Sequence, residues 1–309
     1  YLFLINNNCV LFDGFLDNCL KKFEESNNIG LIGFKDINIF KSIISAGSFL
    51  NNNLDIIDIG NKHSPEDPRF NYQRDVEFFN SENFVIPKIY FDYLGGFSKI
   101  YNSAIFSNID LCMNIKNILN KRIIYLPKVT ILNFQDKTLF DLTDRNYLEE
   151  DKYILKKVFG FESIQKKVAQ SIYENEIRKK VLVIDNCIPT PDMDSGSVDS
   201  YNQIIIFMNM GYHVTFVPID NFSRNDPYAS ILEDKGVELV YAPYTNSLNE
   251  FLIQNIYTKF EFIFISRPTY AHKAIKNIRT FFPKVKIIYN SVDLHFLRMY
   301  RESIIKKEI

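Results

Sequence analysis

Two groups of polar residues in this chain have the types and spacing to do chemistry. The first is Asp194-Ser195-Gly196-Ser197, which follows a short apolar run, Val181–Ile184, ending in Asp185 and a loop rich in Pro and Asp. A helical pattern comes next, so Ser195, Gly196 and Ser197 fall at a helix start. Free backbone N–H groups there can hold a phosphate or a sugar hydroxyl. The plainer alternative is a cap, with Asp194 or Ser195 accepting from the helix and Gly196 easing a tight turn. One residue can do both. Arg267 follows a later apolar run and faces either the same cleft or solvent. Asp293 and His295 follow the last run, where His295 is either a cleft residue or a solvated position of an amphipathic helix. The second group surrounds Asp110, an acid expected in the first turn of a helix that begins near Ser107. There Asp110 either complements the helix dipole or serves as a general base. His63, His213 and His272 lack partners at metal-ligand spacing, and Asp13, Asp17 and Asp36 read as surface or capping residues.

Composition bounds what these groups can serve. The chain has 309 residues, 46% hydrophobic and 24% charged, enough for two ordinary globular domains. A net charge of −1 implies no bulk attraction to nucleic acid or anionic lipid. Cys9, Cys19, Cys112 and Cys187 are scattered, without a CxxC pair, which favours a reduced, cytoplasmic setting over a disulfide framework. No apolar run reaches the about 18–20 residues of a membrane span. The opening Tyr1–Ile5 is too short for a signal peptide and lacks a basic flank; it reads as a buried strand, as if cut from a longer protein.

The elements that must position these residues fall into three regions. Residues 1–140 mix short strands with helices, residues 141–178 form a charged helical linker, and residues 179–309 alternate strand and helix. In the last region, strands are expected at Val181–Ile184, His213–Pro218, Val237–Tyr241, Phe262–Ser266 and Lys286–Asn290. Helices intervene: one presents Val198, Tyr201, Ile205 and Met208 on one face, another follows Asp226-Pro227, and a third opens on the capping box Ser247–Glu250. That alternation predicts a doubly wound parallel sheet, covered on both faces. In the first region, Leu2–Ile5 and Gly30–Lys35 read as strands, Phe15–Glu25 as an amphipathic helix and Val76–Ile86 as an extended run. Arg122–Tyr125 and Val129–Phe134 read as two strands separated at Pro127.

These patterns carry two resemblances. YLFLINNNCVLFDGFLD (1–17), YFDYLGGF (90–97), DLCMNIKNILNKRIIYLP (110–127) and VTILNF (129–134) resemble the second half of a family 2, GT-A type glycosyltransferase. VLVIDNCIPTPDMDSGS (181–197), GYHVTFVP (211–218), SRP (266–268) and VDLHFLRMYRE (292–302) resemble the first, Rossmann-like domain of a family 4-like GT-B glycosyltransferase. The fold class implied is α/β: a partial GT-A mixed sheet followed by a Rossmann-like doubly wound sheet. Such tandem enzymes build bacterial surface polysaccharides. The resemblance implies a nucleotide-sugar donor, a glycan or lipid-linked acceptor, and peripheral association with the inner face of the cell membrane.

Departures from the family pattern fall at chemical positions. An intact family 2 domain uses a divalent cation, Mn or Mg, to offset the charge of the leaving diphosphate. The family's metal-holding Asp matches Asn8 and its late His matches Asn133, so no metal ligands are expected here. The family's Glu-Asp pair, source of the general base, matches Ser107-Asn108; Asp110 is the acid that survives nearby. The small-residue turn of the family matches the bulkier Asn80-Ser81-Glu82. Both resemblances also cover acceptor-side halves, with the donor-binding halves belonging to flanking domains. The expectation is that residues 1–309 alone transfer no sugar, and that the leading domain is impaired or serves to bind glycan or dock partners.

Overall fold

The computed structural model describes residues 1–134, 145–172, 179–291 and 295–306. The chain divides into two compact units, Tyr1–Ile177 and Arg178–Ile309, both α/β.

Unit 1 runs β1 (Leu2–Leu4), β2 (Cys9–Leu11), α1 (Phe15–Glu25), β3 (Ile29–Asn38), β4 (Ile43–Ser45), β5 (Ser48–Leu50), β6 (Ile56–Asp58), a 3₁₀ turn (Pro68–Phe70), β7 (Arg74–Asp75) and β8 (Phe84–Ile86). It continues with α2 (Lys88–Tyr93), α3 (Ala104–Asn117), β9 (Arg122–Asn133), α4 (Arg145–Phe159) and α5 (Phe161–Ile172). A mixed sheet is ordered β1-β8-β3-β9-β2, with β4 also pairing β3 and β7 also pairing β9. The β3–β9 pair is parallel; β1, β2 and β8 join antiparallel. Alternation along β3 and β9 feeds two cores. Ile32, Phe34, Ile124 and Leu126 pack with Phe15, Cys19 and Phe23 of α1. Leu31, Ile123 and Tyr125 pack with Phe106, Ile109 and Ile115 of α3. Gly33 has no side chain because a Cβ there would sit 2.3 Å from the Phe79 ring.

Three local readings change. Arg122–Asn133 is one strand, not two: opposite β3 the register jumps from Leu126 facing Phe34 to Thr130 facing Lys35, so the chain bulges past Pro127 without breaking. Within the run expected to be extended, Val76–Ile86, only Phe84–Ile86 is a strand. Helix α3 starts at Ala104 rather than near Ser107, because Ser103 is the N-cap and accepts from Phe106 N–H. Ser103 is itself fixed by the buried Asp151 of α4, whose carboxylate accepts from Asn102 N, Ser103 N and Ser103 Oγ at 2.8, 2.9 and 2.7 Å. The helices read as a linker thus belong to unit 1, where Leu155, Ile164 and Val168 join the core.

Unit 2 runs β10 (Lys180–Asp185), α6 (Ser195–Asn209), β11 (His213–Pro218), α7 (Tyr228–Lys235), β12 (Glu238–Leu239), α8 (Leu248–Gln254), β13 (Phe260–Ser266), α9 (Pro268–Phe281), β14 (Lys286–Asn290) and α10 (His295–Lys306). Its sheet is wholly parallel, ordered β12-β11-β10-β13-β14. Odd positions of β10 (Val181, Val183) pack with α6 and α7 through Ile204, Ala229 and Leu232. Even positions (Leu182, Ile184) pack with α8 and α9 through Leu252, Ala274 and Ile278. Of the face expected on α6, Tyr201 and Met208 pack against the core, but its start is rotated. Ser197, Ser200 and Ile204 are buried and Val198 is exposed, since small serines let the first turns lie close to the sheet.

Candidate functional site

Strand β10 is where the order of the unit 2 sheet reverses. Its neighbours β11 and β13 lead to helices on opposite faces, and in open α/β sheets ligands bind in the crevice beyond the carboxyl ends of the strands at such a reversal. Asp185 ends β10 there and is 2% exposed. Its Oδ1 accepts from Asn186 N at 2.8 Å and from Arg267 Nε at 3.0 Å. Arg267 follows β13 directly and is the N-cap residue of α9, which begins at Pro268. Its backbone N–H donates to Asn290 O at 3.1 Å, and its φ is +68°. Such a conformation in a residue with a Cβ costs of order 1–3 kcal/mol, which the surrounding bonds offset. The side chain remains 29% exposed.

The guanidinium reaches the first turn of α6. A Cβ on Gly196 would lie 3.0 Å from Arg267 Nη2 and 3.1 Å from Asp194 Oδ1, so glycine eases the close approach. Asp194 is the N-cap: Oδ1 accepts from Ser197 N at 2.9 Å and Oδ2 from Ser197 Oγ at 2.6 Å. Those bonds from Ser197 hold the Asp194 carboxyl below its usual range. Cys187 lies in the same field. Burial raises its thiol pKa, Asp185 adds to the rise and Arg267 opposes it. The hydroxyl of Tyr270 of α9 is raised chiefly by burial, and the Asp220 charge adds to the rise. The structure therefore brings Asp194, Ser195, Gly196, Ser197 and Arg267 together. Of the two alternatives for Asp194–Ser197, the bonds show the cap, made by Asp194. Asp293 lies outside the described residues, and His295 opens α10. Cys187 and Tyr270 were not singled out by the sequence. Their signal is proximity to the ends of β10 and β13.

In unit 1 the residues matched to the family's chemical positions serve the fold. Asn8 N donates to Asn6 Oδ1, and Asn8 O accepts from Phe134 N. Asn108 is 1% exposed and donates through Nδ2 to Ser81 O at 3.1 Å, while Ser107 Oγ donates to Ser98 O. Asp110 is not in the first turn of its helix, because the Ser103 cap starts α3 earlier. Its two oxygens accept from Tyr101 Oη at 3.1 Å and Asn114 Nδ2 at 3.0 Å, and burial raises its pKa.

Asp36 departs furthest from its expected surface or capping role. It is 2% exposed, at the far end of β3. Asn83 Nδ2 and Asn133 Nδ2 donate to its Oδ2 at 3.5 and 3.4 Å. The orientation of Asn83 is fixed by Asn6 N, which donates to Asn83 Oδ1 at 2.9 Å. Asn83 Nδ2 also meets Cys9 Sγ at 3.4 Å, and burial, more than the nearby Asp36 charge, raises the Cys9 thiol. Amide N–H groups facing this carboxylate repel a divalent cation, so the donor set here does not fit Mn or Mg. Among the described residues, no cluster of three or more His, Cys, Asp or Glu side chains has metal-binding geometry.

No protein-family model matches this chain, and no curated protein sequence matches it. Among the described residues, no helix is long and apolar enough to cross a membrane.

Proposed function

We propose that the chain is the acceptor-side part of a bacterial glycosyltransferase, with its working site in the unit 2 crevice. The overall reaction joins an acceptor hydroxyl to the anomeric carbon of a nucleotide sugar and releases the nucleotide diphosphate. In this reading unit 2 is the Rossmann-like first domain of a GT-B enzyme. The strand order reversing at β10 supports that assignment. One observation carries the proposal: Arg267 and the first turn of α6 converge over Asp185 at the carboxyl edge of the sheet. A guanidinium beside a helix N-terminus recognises an acceptor bearing phosphate or clustered hydroxyls, such as a lipid-linked glycan.

Unit 1 is then a GT-A scaffold without its cation. Asp36 surrounded by amides and Asp110 tied to Tyr101 and Asn114 favour a binding or docking role over catalysis.

The test is alkylation of Cys187, beside the crevice, in the presence of inorganic pyrophosphate. Protection in the native chain and its loss in Arg267→Met are expected. Equal alkylation with and without pyrophosphate overturns the assignment of the crevice. In a nucleotide-release assay, residues 1–309 are expected to show no turnover of nucleotide sugars.

A further inference from the structure

Arg267 is useful in the crevice only if its guanidinium is aimed, and the chain aims it from below. The Nε–H donates to Asp185 Oδ1, and Asp185 is buried at the end of the central strand. The same oxygen accepts from Asn186 N, which fixes the carboxylate. The bond to Asp185 is made by Nε, which leaves the end-on edge of the guanidinium, between its two terminal nitrogens, for a ligand; Nη2 lies over Gly196, beside the Asp194 carboxylate. From this geometry we infer that Asp185 is a positioning residue: it holds Arg267 by Nε so that the terminal guanidinium nitrogens face the ligand in the crevice. Gly196 is the second part of the device, because a Cβ there would lie 3.0 Å from Nη2 and crowd it. The ligand class is a phosphoryl-bearing acceptor, held by paired N–H groups of one planar cation. This inference rests on the proposed use of the crevice.

Phenylglyoxal labelling of Arg267, read by peptide mass spectrometry, tests it in the 309-residue chain. Asp185→Asn keeps the side chain's size and removes its charge. Labelling of Arg267 is expected to rise several-fold, and the protecting concentration of pyrophosphate to increase roughly ten-fold. Asp185→Glu, which keeps the charge, is expected to restore slow labelling. Arg224, paired with Glu233 in the same unit, is the folding control and should label at an unchanged rate in both variants. Unchanged labelling and unchanged protection of Arg267 in Asp185→Asn overturn the positioning role. If Asp185→Asn disturbs the fold, Asp185→Glu decides: slow labelling upholds the role, and labelling as fast as in the unfolded chain overturns it. Faster labelling in Asp185→Asn, with no pyrophosphate protection even in the native chain, upholds the role and removes the acceptor site.

Discussion

Asp110 and Asp36 show how burial decides what a carboxylate does. Asp110 is shielded, and burial raises its pKa above the ordinary carboxyl value. A raised folded-state pKa means that protonation favours the fold. That stabilising contribution is present below the ordinary carboxyl pKa and is lost as pH rises through the raised value. Asp110→Asn, which cannot ionise, is therefore expected to gain stability relative to the native chain as pH rises from about 3 to 7. Urea midpoints measured across that range check it; a gap that moves in favour of the native chain contradicts the burial account. At Arg267 the effect is on binding. Arg267→Met removes charge-assisted bonds and is expected to weaken pyrophosphate binding by about ten- to a hundred-fold. Isothermal titration measures that directly.

At the scale of elements, long-range contacts decide where helices begin and strands end. Asp151 of α4 holds the turn before α3 with three hydrogen bonds. Asp151→Ala leaves Asn102 N and Ser103 N without their acceptor and is expected to cost about 2–4 kcal/mol, read from urea denaturation. The regular elements were legible in the sequence. Helix α1 and strands β11 and β14 have the expected bounds, because amphipathic spacing and apolar runs between turn residues are local signals. The start of α3 was not legible, since the partner that holds its cap is 48 residues away. Asp36 was misread for the same reason: its partners Asn83 and Asn133 are 47 and 97 residues distant. The Pro127 bulge was read as a break because proline removes a ladder donor, while the flanking pairing to β3 carries the strand through. In the crevice, the loop after β10 and Arg267 were legible as candidates, but their convergence depends on the parallel pairing of β10 with β13.

For the whole molecule, each unit has its own cores. Asp151→Ala is therefore expected to speed amide hydrogen exchange in β3 and β9 while leaving exchange in β10, β11 and β13 unchanged. Equal acceleration in both units contradicts the division into two compact units. The same division separates the roles proposed for them, with ligand recognition in unit 2 and a cation-free scaffold in unit 1. An ¹H–¹⁵N NMR titration of the 309-residue chain with glucose 1-phosphate tests that most directly. The account predicts saturable shifts at the Ser195, Gly196 and Ser197 amides and at Arg267 Nε, with Cys9, Asn83 and Asn133 unmoved. Shifts confined to Cys9, Asn83 and Asn133, or none in the crevice at saturating ligand, would contradict it.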